Sequence, residues 1–155
     1  MKNKPILIVP GQLNSIFFEI FFKTLKIKKF KSPLILIFSE KILRNQIKKF
    51  RFKKNVRIID PKFLETHKLS NNNINLINVP FKGSDKNVFN QNIFLEKCFN
   101  IAFSILSSGF TKKFINGPIN KKNFLNKKYL GITEYISNKF KLDDVAMLIY
   151  NKKLS

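Results

Sequence analysis

Two short stretches carry side chains that could do chemistry. The first is Gly117-Pro118-Ile119-Asn120-Lys121, and the second is Gly131-Ile132-Thr133-Glu134. In the first, Gly117 permits close backbone approach and Pro118 stiffens the turn. Asn120 can cap a following helix, and Lys121 can offer a charge to an anion. In the second, Thr133 supplies a hydroxyl beside free backbone N–H groups at a helix start, the geometry of a phosphate seat. On residue types alone, plain loop and capping chemistry is the better account of both stretches, and the ligand-site reading stands as the alternative. Other chemistry is thinly represented. His67 is the single histidine and Cys98 the single cysteine, too few for a histidine metal cluster or a Cys-His pair beyond that one histidine. His67 reads as a surface residue and Cys98 as a small core residue. The five glycines form neither the dinucleotide fingerprint nor a phosphate-binding P-loop.

The elements that must position these groups follow from the apolar pattern. Pro5 to Val9, Leu34 to Phe38, Val56 to Asp60 and Ile74 to Val79 read as strands, and so does Lys113 to Asn116. The continuous apolar runs Pro5 to Val9 and Leu34 to Phe38 suit parallel strands buried on both faces, while Ile74 to Val79 alternates in part. Val145 to Tyr150 reads as a further buried strand. Between them, a helix capped by Asn14 or Ser15 runs to about Ile27. A second is capped by Ser39, with Ile42, Leu43 and Ile47 inward. Pro61 to Asn73 reads as a loop with one helical turn. A long helix then covers about Val88 to Ser108, with Gly109 at its end. That helix carries apolar residues nearly all round, which calls for a second covering face in another domain or a partner subunit. Alternating strands and helices predict an α/β protein: a mostly parallel sheet covered by helices. The stretch from Gly117 and the Pro10-Gly11 turn both lie at the carboxyl ends of predicted parallel strands, where open α/β sheets bind ligands.

The composition bounds the class. At 155 residues and 44% apolar content, the chain is long enough for a core. No apolar run reaches membrane-span length, and Pro10-Gly11 ends the first run too early for a signal peptide. One cysteine forbids an internal disulfide and fits a reducing cytoplasm. The formal charge is +21, yet only three of the thirty basic residues are arginine. Lys, Ile, Asn and Phe dominate together, and the lysines are scattered along the chain. That pattern reads as compositional drift rather than as a nucleic-acid surface, which would favour arginine. A basic α/β module binding RNA or another polyanion stands as the alternative.

The strings INGPINKKNF and LGITEYIS resemble the Pro-Ile-(Asn/Ser)-Lys and Gly-His-Thr-Glu signature of the 4-hydroxythreonine-4-phosphate dehydrogenase family. IVPGQLNSIFFEI resembles that family's first turn, keeping Pro10, Gly11, Ile16 and Glu19. The resemblance implies a fold related to isocitrate and isopropylmalate dehydrogenases. It also implies that residues 1–155 are the N-terminal part of a two-domain enzyme whose second half lies off this chain. It further implies NAD, a divalent metal (Zn, Mg or Co) held by histidines of the other half, a small phosphorylated amino-acid substrate and a homodimer. By the same resemblance Thr133 is a substrate contact; Asn120 and Lys121 are further candidates from their place at a strand's carboxyl end. Neither catalytic nor metal residues fall on this chain. The reaction implied is oxidation of 4-phosphooxy-threonine followed by decarboxylation to 3-amino-2-oxopropyl phosphate, in vitamin B6 synthesis. The departures are plain: Ile132 stands where the family has His, Gln12 where it has Asp, and Leu13, Asn14, Phe17 and Phe18 replace Pro, Ala, Gly and Pro. A diverged, non-catalytic relative is therefore a further alternative.

Overall fold

Five of the predicted strands pair in one sheet. The computed structural model describes residues 3–83, 87–125 and 128–148, and the chain divides into two units, Met1–Pro118 and Ile119–Ser155. In the first unit, strands β1 (Ile6–Val9), β2 (Leu34–Phe38), β3 (Val56–Ile58), β4 (Ile74–Asn78) and β5 (Phe114–Asn116) form one five-stranded sheet. Its order is β3-β4-β2-β1-β5, and every pairing is parallel. The α/β expectation is met. The central strands are apolar without alternation because both of their faces are covered. Leu7, Val9, Ile35, Ile37, Phe38 and Leu76 are fully shielded from solvent.

Helices α1 (Phe17–Ile27), α2 (Glu40–Lys49) and α3 (Val88–Ser107) connect the strands. Phe18, Phe21 and Phe22 form the buried stripe of α1 at helical spacing. Phe18 meets Phe38 at 5.2 Å between ring centres, and Phe22 stacks on Phe52 at 4.6 Å. Leu43 is the buried anchor of α2, while Ile42 and Ile47 are half-buried. The helix starts differ from expectation. Ile16 is the N-cap residue of α1 and makes no side-chain bond, although the Ser15 hydroxyl accepts from the Phe17 N–H at 3.4 Å. Ser39 caps α2 by position only. Asn78, at the end of β4, accepts the Glu40 N–H at 2.9 Å. A cap can come from a neighbouring strand as well as from the helix's own sequence, which local spacing does not reveal.

Helix α3 buries seven residues, from Phe94 to Ile105. The breadth that suggested a second covering body is largely used within its own unit. Phe99 and Phe103 both lie edge-on to Phe114 of β5. Val88, Phe89 and Ile93, in its first turns, are exposed. The predicted helical turn after β3 is a 3-10 turn over Pro61–Phe63, with the Asp60 carboxylate accepting the Lys62 N–H at 2.9 Å.

The second unit contains α4 (Lys121–Phe124) and α5 (Ile132–Phe140). The predicted strand at Val145 to Tyr150 is corrected. Residues 145–148 are not a strand, and Val145, Met147 and Leu148 are 48%, 72% and 88% exposed. A strand needs a partner backbone to bond, and among the described residues none pairs with this segment. Ile149 and Tyr150 lie outside the described residues.

Candidate functional site

Strands β1 and β5 are neighbours in the sheet, yet the chain leaves β1 towards β2 and returns to β5 on the other side. Their carboxyl ends therefore flank the topological switch point. The Pro10-Gly11 turn and the Asn116-Gly117-Pro118 turn both lie there, locked together by main-chain bonds. The Gly117 N–H donates to the Val9 carbonyl at 2.8 Å, and the Gln12 N–H donates to the Pro118 carbonyl at 3.0 Å. A Cβ on Gly11 would stand 2.2 Å from the Pro118 oxygen, and one on Gly117 only 1.8 Å from the Pro10 oxygen. Gly11 also has φ +84°, in the left-handed region. Close backbone approach is thus what Gly117 provides, but the body that approaches is the chain itself. Beside these turns Gln12 is half-buried, and Asn116 donates its side-chain amide to the Gly117 carbonyl at 3.1 Å.

The three residues singled out by sequence lie in the second unit. Asn120 is the N-cap of α4, its side-chain oxygen accepting the Asn123 N–H at 3.1 Å. That bond meets the capping role foreseen for it. Lys121 is exposed and makes no ion pair among the described residues. Thr133 sits in the first turn of α5, half-buried, behind Gly131, which supplies no side-chain cap. The hydroxyl of Thr133 makes no hydrogen bond among the described residues. Tyr135 fixes α5: it is buried and meets Phe124 and Tyr129 edge-on, at 5.5 and 5.4 Å. The Tyr129 hydroxyl bonds the Asn138 side-chain oxygen at 2.9 Å. This small aromatic cluster holds the start of α5, with Ile132 and Thr133 at its head.

The remaining candidates are structural. The ring of His67 accepts the Asp60 N–H at 3.3 Å, which ties down the loop after β3. Cys98 is fully buried, and burial pushes its thiol well above the ordinary range, so it is not a nucleophile. Among the described residues no group of three His, Cys, Asp or Glu side chains comes together. The donor set therefore does not fit a metal. No helix among the described residues is long and apolar enough to cross a membrane.

Two asparagines matter more than sequence reading suggested. Asn71 lies in the polar run before β4. Its side chain bonds the Phe30 and Ser32 carbonyls at 3.0 and 2.9 Å and the Leu34 N–H at 2.9 Å. Asn75, inside β4, is 1% exposed and donates to the Leu34 and Ser70 carbonyls. An asparagine interrupting an apolar strand was the available signal, since a buried amide must find partners.

No protein-family model and no curated protein matches the chain. Solved structures do. One is 4-hydroxythreonine-4-phosphate dehydrogenase from Klebsiella pneumoniae, at 23% identity and TM-score 0.79, covering 98% of this chain and 49% of that one. Another is a 4-hydroxythreonine-4-phosphate dehydrogenase from Burkholderia phymatum, at 18% identity and TM-score 0.79, covering 98% and 48%. The chain spans about half the length of these enzymes, and over that span it has the fold of a 4-hydroxythreonine-4-phosphate dehydrogenase.

Proposed function

We propose that this chain is the N-terminal part of an NAD-dependent dehydrogenase acting on 4-phosphooxy-threonine or a close analogue. The observation that carries this reading is the fold likeness over nearly the whole chain. The order of signature turns supports it: Pro10-Gly11 follows β1, Gly117-Pro118 follows β5, and Gly131 to Glu134 open α5. In such an enzyme NAD accepts the hydride and a divalent metal acts as Lewis acid, and both would be held by residues other than those described.

What this chain would contribute is binding. The Thr133 hydroxyl, with the N–H groups of the first turn of α5, would donate to an anionic oxygen of the substrate. Lys121 would add a positive charge, and Asn120 would hold the turn that carries it. Ile132 offers no donor where the family has histidine, so the substrate would be held by one contact fewer. A cytoplasmic homodimer completes the reading. The isolated chain is expected to give no NADH when supplied with 4-phosphooxy-threonine and NAD, and measurable reduction would overturn that.

Reading the coding DNA past Ser155 tests the larger claim. A frame that continues for a comparable length with well-separated histidines supports it. In that complete enzyme, Thr133→Val should raise KM by roughly tenfold or more, the worth of a hydrogen bond to a charged group. A stop codon with no partner gene moves the non-catalytic relative ahead. The Ile132 departure is the observation that favours this second reading.

A further inference from the structure

All five strands of the first unit start at one end of the sheet, and the fold gathers there lysines that are scattered in sequence. The loop into β2 carries Lys28, Lys29 and Lys31. The loop into β3 carries Arg51, Lys53 and Lys54, while Lys112 and Lys113 lead into β5. Not one acidic residue lies in these three loops, whereas the segment into β4 carries Glu65 as well as Lys68. The acidic groups fall elsewhere: Glu19 and Glu40 stand in the first turns of α1 and α2, and Asp60 and Glu65 flank the turn after β3. Helix dipoles account for lysines in the last helical turns. They do not account for the loop lysines beyond them.

One part of this end is concave. A cleft of about 610 Å³ is lined by Lys26, Lys28, Lys29, Lys31 and Lys54, with the half-exposed Phe30 ring among them. Its walls are fixed. Asn71 bonds three backbone groups of the loop from Phe30 to Leu34, and the Lys54 ammonium donates to the Asn71 carbonyl at 2.7 Å.

We propose that this cleft binds single-stranded nucleic acid, the lysines meeting successive phosphates and Phe30 offering a face to a base. Lysine serves such a role as a point charge, since a backbone-tracking site does not need the bidentate fork of arginine. A concave wall suits a chain of phosphates. A bilayer surface would instead call for a broad apolar face among the lysines, and there only Ile27 protrudes among the described residues. This surface lies at the opposite end of the sheet from the switch point, so the proposal does not depend on the dehydrogenase reading.

The test uses the full chain and a fluorescent oligouridine of about 20 nucleotides, with binding read by anisotropy across a salt series. Saturable binding that weakens steeply with salt is expected. Replacing Lys26, Lys28, Lys29 and Lys31 together by Gln should weaken it at least about tenfold and reduce the salt slope by about 3. A control replacing Lys41, Lys62, Lys82 and Lys97 by Gln changes the net charge equally. At about 150 mM salt it should stay within about twofold of the parent, because exposed charges are screened over that distance. Phe30→Ala should weaken binding without changing the slope. Circular dichroism of each variant confirms that it is folded. Equal losses from the two quadruple variants would overturn the proposal, as would absence of saturable binding. So would capture on phosphatidylserine vesicles that the oligonucleotide does not compete away.

Discussion

The two ends of the sheet solve opposite problems. At the carboxyl end of β1 and β5, backbone meets backbone with no room for a side chain, and glycine is a steric requirement. At the amino end, polar side chains tie loops together and lysines face solvent. The same residue type shows the difference. Gly117 leaves 1.8 Å between an added Cβ and the Pro10 oxygen, whereas Gly109, just after α3, has nothing within 4 Å of one. Gly109 is needed for its left-handed φ of +76° alone. A glycine at a strand's carboxyl end here marks packing of the chain on itself, and a glycine at the other end marks a helix stop.

The sharpest way to break that comparison is to add the methyl group at each. Gly117→Ala should cost about 3 kcal/mol or more, because neither colliding main chain can move without losing the paired bonds to Val9 and Pro118. Gly109→Ala should cost about 1 kcal/mol, the penalty of the left-handed region for a residue with a Cβ. Urea unfolding of the two variants measures both. Similar midpoints would mean that the turns flex apart, and the locked carboxyl end would lose its basis.

Much of this was legible in the sequence. LILIF announces a buried parallel strand because no residue in it needs water on one face, and Gly109 announces a helix end. Asn120 reads as a cap from its type and place, and its side chain accepts the Asn123 N–H. The misses are non-local. VAMLIY is as apolar as LILIF, yet residues 145–148 form no strand, since pairing needs a partner that the local run does not specify. The cap of α2 comes from Asn78, thirty-eight residues away. That several of the scattered lysines lead into strand starts is visible only once the strand order is known. For the candidate site, residue types and order were legible. What held the two turns together was not, because nothing local to Gly117 points to Pro10.

The amino end has its own test of intermediate size. Asn71→Ala removes three bonds to the loop from Phe30 to Leu34, two of which leave carbonyls seeking partners. The expected loss is about 2 to 3 kcal/mol. The loop should also loosen, so trypsin should cut at Lys28, Lys29 or Lys31 faster than in the parent under native conditions. A stable variant with unchanged cleavage would show that the basic cleft is held by its strands rather than by Asn71.

The smallest effect concerns the acidic side of the charge separation. Glu19, in the first turn of α1, accepts from Lys23 at 2.7 Å across one helical turn. The Lys23 hydrogen bond, and after it the Lys23 charge, hold the Glu19 carboxyl below its ordinary value of 4.5. A carboxyl lowered by folding binds its proton more weakly in the native chain than in the unfolded one. The stability it contributes is therefore complete above its ordinary value and disappears as pH falls through the lowered one. Both side chains are well exposed, so solvent and salt screen most of the attraction. Glu19→Gln should lower the thermal midpoint slightly above about pH 5, and the gap from the parent should close as the solution is made more acidic. Added salt should shrink the same gap at neutral pH. A gap that persists unchanged into acid would mean that the glutamate acts by shape or by its alkyl stem. The acidic start of α1 would then carry no electrostatic weight against the lysines at the other end of the sheet.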